Sequence, residues 1–208
     1  MPAEGKGTLN IELNEIEMRI GKFVAKERYR MARKNNVHNG QVSETMGELE
    51  PDIEGVLAEL SFCKIADVYP QKIFEVFVRS KKQREDFGDV EIHSKVVDVK
   101  TTCYKGGKLI CSVVNPHVDY YALMVGGRGS YRLAGLMGSD ELCREKRFGR
   151  HGLFQKPCYK ADQHELMNWK DFKAYAETEN DRRTHKVVQP YDTPERLGHG
   201  VRNVCEGD

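Results

Sequence analysis

The sequence has no charge of one sign to spare: 33 Lys and Arg stand against 32 Asp and Glu, a formal net charge of +1. No bulk polycation is therefore available to hold nucleic acid, and any electrostatic binding surface must come from local segregation of charge. Long apolar runs are also missing. The longest, Tyr120 to Val125, is far short of the ~20 residues a membrane span needs, so no membrane partner is expected. The opening MPAEGKGTLN lacks the apolar core of a secretory signal, which points to a cytoplasmic protein, in the host cytoplasm if the source is viral. None of the six cysteines stands within four residues of another, which removes the CxxC pairs of zinc knuckles and leaves reduced structural thiols as the reading.

Further absences narrow the chemistry. The seven histidines never fall at HxxxH spacing, and no GxSxG elbow occurs, so zinc-hydrolase and serine-hydrolase sites lack support. Gly126-Gly127-Arg128-Gly129-Ser130 contains GxG, but strand-like runs on both sides make it a hairpin turn rather than a dinucleotide loop. No internal repeat is visible.

What is present reads as one α+β domain over 13–178, with a flexible arm at 1–12 and a polar tail at 179–208. Leu13, Ile16, Ile20, Phe23, Val24 and Met31 recur at helical spacing and predict an amphipathic helix whose apolar stripe faces the core. A second helix should start near Pro51, with Asp52 and Glu54 favouring its first turn. The period then changes. Ile73 to Val78 alternates like a strand, and DVEI, VVDVKTT, LICSVV, DYYALMV and YRLAGL follow as further strands of a mixed central sheet flanked by helices. Ser139 is positioned to cap a short helix, and Asn168 another.

The stretch Asp86 to Thr102 carries the most chemical information. In VVDVKTT the strand period places Val97, Val99 and Thr101 on one face, and Asp98 and Lys100 with Val96 on the other. A carboxylate and an ammonium inside so apolar a run are costly to bury unless something pairs with them. A short hairpin back to Asp89 would bring a second carboxylate beside Asp98, and a divalent cation is the common way to resolve their repulsion. The acid-x-Lys triplet alone means little, since Glu4 to Lys6 and Asp171 to Lys173 also have it. Only Asp98-Val99-Lys100 falls in an expected central strand.

Glu59 in EGVLAELSF, Asp89 and Asp98-Val99-Lys100, in that order along helix, hairpin and strand, resemble the PD-(D/E)XK, or restriction-endonuclease-like, nuclease superfamily. The small stand-alone members of phages and mobile elements look most similar, including Gly55 four residues before the helix Glu. The resemblance covers roughly 53–137. Gly88 stands where the family's proline would precede Asp89, and Asp86 is the competing choice for the same role. The resemblance implies a restriction-endonuclease-like core in which Glu59, Asp89, Asp98 and the Val99 carbonyl hold Mg²⁺, with Mn²⁺ a possible substitute. Lys100 would act on the attacking water or on the phosphoryl group. The implied function is a Mg-dependent DNA endonuclease, RNA not being excluded as substrate. An exonuclease or structure-selective nuclease, or a catalytically silent binding module on the same fold, are the rivals, and a homodimer is possible. Gln155 to Tyr159 fits the QxxxY of the exonuclease branch, but Pro157 would break the helix that motif needs.

Charge is segregated despite the neutral total. Arg19, Lys22, Lys26, Arg30 and Arg33 form a stripe about 80° wide on the first helix, a quarter turn from the apolar stripe. Arg79, Lys81, Lys82 and Arg84 form a second group, and Arg144, Lys146, Arg147 and Arg150 a third. Of these, the helix stripe with Lys81 and Lys82 is the expected nucleic-acid-binding set.

Overall fold

A computed structural model describes residues 9–34, 47–74, 88–150 and 157–187, with no side-chain description from 180 onward. Five helices, α1 (Glu15–Lys34), α2 (Glu50–Ala66), α3 (Gln71–Phe74), α4 (Ser139–Leu142) and α5 (Trp169–Val187), accompany eight strands. These are β1 (Leu9–Glu12), β2 (Val90–Ile92), β3 (Lys95–Thr102), β4 (Leu109–Cys111), β5 (Tyr120–Gly127), β6 (Ser130–Gly138), β7 (Phe148–Gly149) and β8 (Cys158–Ala161). The expected α+β class and mixed sheet are both present. The main sheet runs β1-β6-β5-β3-β2, with β3 and β5 parallel and the other pairs antiparallel. A smaller sheet runs β4-β8-β7.

The two faces of the main sheet are covered differently. Val97, Val99, Ala122 and Met124 pack with α1, α2 and α5 into one core. Tyr121, Leu123, Val125 and Met137 pack with β4, β8 and Leu142 of α4 into another. Helices therefore flank one face, and the second face carries the small sheet and a single short helical turn. Among the described residues no helix is long and apolar enough to cross a membrane.

Helix α2 lies at the centre. Its eight consecutive buried positions from Val56 to Cys63, with Ile53 a turn earlier, leave it enclosed on all sides, and only Glu59 and Ser61 among them are polar. Pro51 and two acidic residues open it, and Asp67 closes it in the left-handed conformation, with Val68 N–H donating to the Cys63 carbonyl at 3.0 Å. Glu54 ties α2 to the β5–β6 hairpin by accepting from Arg128 N–H at 3.0 Å and from the Tyr131 hydroxyl at 2.5 Å. The turn there has positive φ at Arg128 and Gly129, so the glycine-rich stretch is a hairpin turn.

Several expectations change. Residues 9–12 are not an arm: Leu9 to Glu12 pair with Leu133 to Ser130 of β6, and Ile11 packs on the core, so backbone pairing orders them as an edge strand. Ile73 and Phe74 are helical rather than strand, because both amides donate to the Pro70 carbonyl, and Ile73 is fully buried. Residues 75–78 of that expected strand lie outside the described residues. Ser139 is the first residue of α4 and not its cap; Gly138 takes the cap position. Asn168 does cap α5, its Oδ1 accepting from Asp171 N–H at 3.0 Å, and α5 continues to Val187, past the boundary expected at 178.

The largest change concerns α1. Its buried residues are Gly21, Val24 and Ala25, whereas Ile16, Ile20 and Phe23 are exposed. Closeness of approach explains this. A Cβ on Gly21 would sit 2.6 Å from Leu57 Cδ2 and 2.9 Å from Leu60 Cδ1, so α1 meets α2 through its smallest residues.

Candidate functional site

Glu59 projects from the middle of α2, Asp89 stands just before β2, and Asp98 and Lys100 lie on β3. Strand β2 pairs with β3 no further than Val90 with Val97. Beyond that point Asp89 takes over the ladder: its N–H donates to the Val97 carbonyl at 3.0 Å, and its Oδ2 accepts from Val99 N–H at 2.7 Å. The sheet thus ends on a carboxylate beside Asp98. Asp89 fills the expected position; Asp86 lies outside the described residues.

Asp98 and Glu59 are each 9% exposed, which is rare for acids and demands compensation. Lys100 Nζ supplies it for Asp98, at 2.7 Å from Oδ1 and 2.8 Å from Oδ2. Arg28 supplies it for Glu59, with Nη1 at 2.9 Å from Oε2 and 3.3 Å from Oε1, while its Nη2 donates to the Ile73 carbonyl at 2.9 Å. The close α1–α2 approach at Gly21 is what brings Arg28 within reach, seven residues further along the same side of α1.

The three carboxylates feel one another. Burial raises the Glu59 pKa, Arg28 opposes it, and the Asp98 charge adds to the rise. Asp89 is held well above the usual carboxylate range by burial and then by the charges of Glu59 and Asp98. Burial, then the charges of Glu59 and Asp89, push the Cys63 thiol up to about 12, so that cysteine is an inert neighbour. Burial alone would lower Lys100, but Asp98 outweighs it and the net shift is upward. Three carboxylates face two cations, and one negative charge remains for a proton or a metal to balance.

Tyr121 and Cys111 complete the surroundings. Tyr121 is the register partner of Asp98 on β5, and Lys100 Nζ lies 5.9 Å from its ring centre. Cys111 on β4 donates its thiol to the Val113 carbonyl at 3.0 Å. Neither residue nor Arg28 was among the site residues expected from the sequence. Arg28 had a usable signal, a basic residue on the same helical side as Gly21, Val24 and Ala25; the other two depend on tertiary pairing alone.

The expected nucleic-acid-binding residues do not converge on this cluster. Arg19 pairs with Glu15 at 2.5 Å, Arg30 with Glu27 at 2.9 Å and Arg33 with Glu48 at 2.6 Å, while Lys22 and Lys26 are exposed. At 100° per residue the stripe lies roughly 160° round α1 from Arg28, turned away from Glu59. Lys81 and Lys82 lie outside the described residues. In the third basic group, Arg144 and Arg147 are engaged by Glu141, and Arg147 also by Glu165.

Among the described residues no group of three His, Cys, Asp or Glu side chains is arranged to hold a metal ion. Both oxygens of Glu59 are in contact with Arg28 and both of Asp98 with Lys100. The donor chemistry nevertheless suits a hard cation, since the cluster offers carboxylate oxygens only and carries surplus negative charge. No family model matches the chain, and no curated protein or solved structure matches it either.

Proposed function

We propose that the protein is a divalent-cation-dependent nuclease that hydrolyses phosphodiester bonds in DNA. One observation carries the reading: Glu59 of α2 and Asp98 of β3 are buried acids, each held by one cation, and Asp89 binds the backbone between Asp98 and Lys100, so three carboxylates meet only two cations. Buried acids that raise one another's pKa are costly to stability and are typical of sites where a cation does the balancing. Glu59, Asp89, Asp98 and the Val99 carbonyl would hold Mg²⁺ or Mn²⁺. When bound, the ion supplies a water of lowered pKa and neutralises charge on the scissile phosphate.

The chain's own residues do the rest. Asp89 keeps the Val99 amide fixed, and so holds the strand segment between Asp98 and Lys100 in register. Lys100, kept protonated by Asp98, is an ammonium at neutral pH; that suits it to stabilise anionic phosphoryl oxygens rather than to take a proton from water. Arg28 fixes the Glu59 carboxylate from the α1 side.

The test is incubation of closed circular DNA with Mg²⁺ or with EDTA. Nicking that requires Mg²⁺ and disappears in Asp98→Asn, with fold retained, is the expected result; Lys100→Ala should lose about 100-fold in turnover. Equal nicking by wild type and Asp98→Asn rules out this site. Degradation of linear DNA alone would make the enzyme an exonuclease. A second reading, a silent binding module stabilised by ion pairs, is favoured by the closed Arg28–Glu59 and Lys100–Asp98 contacts. It predicts no Mg²⁺-dependent cleavage of any DNA.

A further inference from the structure

Two short segments beside the acidic cluster are held firmly in place, yet each points apolar side chains into solvent. The first is the turn after β3, four residues beyond Lys100, where Tyr104 is 75% exposed. Its backbone is braced from elsewhere in the fold: Arg132 Nη2 donates to the Lys105 carbonyl at 3.0 Å, and Gln163 Nε2 donates to the carbonyls of Lys105 at 3.0 Å and Gly107 at 2.6 Å. Gly107 in turn packs so closely on Thr102 that a Cβ there would lie 2.4 Å from Thr102 Cγ2.

The second segment follows β4. Val113 is 77% and Val114 43% exposed. This loop is tied to the neighbours of Lys100 itself. The Cys111 thiol donates to the Val113 carbonyl, and Asn115 N–H donates at 3.3 Å to the hydroxyl of Tyr121, the residue whose ring lies beneath Lys100. Asn115 then closes the turn, its Oδ1 accepting from His117 N–H at 3.0 Å and its carbonyl from Val118 N–H at 3.2 Å.

Single exposed apolar residues are ordinary on protein surfaces and call for no explanation. These three differ in that they lie on braced backbone in the segments before and after β4, the first following β3 and Lys100 and the second tied to Tyr121. A flat docking face would present them side by side; separate prongs suit insertion between, or stacking on, planar rings. Bases offer such faces only where they are unpaired or already unstacked, because a regular duplex keeps them covered. The exposed Lys105 next to Tyr104 sets a positive charge beside the ring, as a backbone phosphate would require.

We propose that Tyr104, Val113 and Val114 form a base-docking rim that directs the site to single-stranded or locally unpaired DNA. Tyr104 stacks on one exposed base, and the Val113–Val114 pair wedges against another. The proposal rests on the nuclease reading for its location and deepens it by naming the substrate class.

The experiment uses the full chain and two variants, Tyr104→Ala and Val113→Ser/Val114→Ser. All three side chains are exposed, so thermal unfolding should be unchanged. The probe is an oligonucleotide carrying 2-aminopurine, as a single strand and as a perfect duplex, titrated in EDTA. Wild type should quench 2-aminopurine on the single strand. Each variant should lose most of that quenching and about tenfold in single-strand affinity, with duplex binding unchanged. No quenching by wild type, unchanged quenching in the variants, or equal losses on both DNA forms would overturn the rim. A parallel assay with closed circles in Mg²⁺ separates the two ideas. Quenching without cleavage refutes the nuclease reading and leaves the rim standing, whereas cleavage with variants indistinguishable from wild type refutes the rim alone.

Discussion

At the scale of single residues, the account turns on the cost of gathering acids away from water. Asp89 bears most of it, because burial and the charges of Glu59 and Asp98 all raise its pKa. An acid whose folded pKa lies above its unfolded value of about 3.9 gives a contribution that is fully present below pH ~4 and lost as pH rises through the folded pKa. In EDTA at pH 8, Asp89→Asn should therefore melt above wild type, and the gap should close as pH falls toward 4. The amide oxygen can still accept from Val99 N–H, so the strand contact survives. A variant that melts lower than wild type at pH 8 would show that Asp89 is not a strained charge. Arg28 is the counterpart. Arg28→Leu leaves Glu59 buried without its cation and should cost about 2–3 kcal/mol in urea unfolding. Adding Glu59→Gln should recover much of that loss; additive losses in the double variant would mean the pair is not coupled.

At the scale of elements, the contact between α1 and α2 sets the reach of Arg28. It is built on Gly21 and Ala25 rather than on bulky apolar residues. Gly21→Val would place methyl groups where Leu57 and Leu60 already sit, and should destabilise the fold by about 2 kcal/mol, read as a shift in urea midpoint. An unchanged midpoint would contradict so close an approach. This contact also shows where the sequence misleads. Hydrophobic periodicity picks out Leu13, Ile16, Ile20, Phe23, Val24 and Met31; Val24 is buried and Leu13 packs on the core, but Ile16, Ile20 and Phe23 are exposed, because a transfer scale rewards size where tight helix packing rewards smallness. Asp98-Val99-Lys100 was legible for the opposite reason. Strand alternation is a local rule, and the hairpin back to Asp89 spans only a few residues. The Ile73–Phe74 turn was hidden by an alternating pattern that Pro70 redirects into helix.

At the scale of the whole molecule, what the sequence leaves out is mainly non-local. The sheet β4-β8-β7 joins strands of three, four and two residues, with β4 far from the other two in sequence, and no periodicity in pieces so short could announce it. Cys111 enters the site only through that second layer, and Tyr121 only through the parallel pairing of β5 with β3. The basic stripe on α1 was visible as a pattern, but its direction depended on which side of α1 packs, and it faces away from Glu59. The α+β class and the approach of Asp89 to Asp98 were readable, because they follow from element order and a single hairpin; Glu59 was singled out only through the family resemblance.

The central claim is that the surplus negative charge of Glu59, Asp89 and Asp98 is there to be balanced by a divalent cation. Calorimetric titration of the metal-free protein with Mn²⁺ at pH 7.5 tests it most directly, using wild type, Asp98→Asn and Lys100→Ala. The account predicts saturable binding to wild type, weakened at least about tenfold in Asp98→Asn by loss of a ligand's charge, and undiminished in Lys100→Ala, where a competing cation has been removed. No saturable binding to wild type, or equal binding to wild type and folded Asp98→Asn, would contradict it.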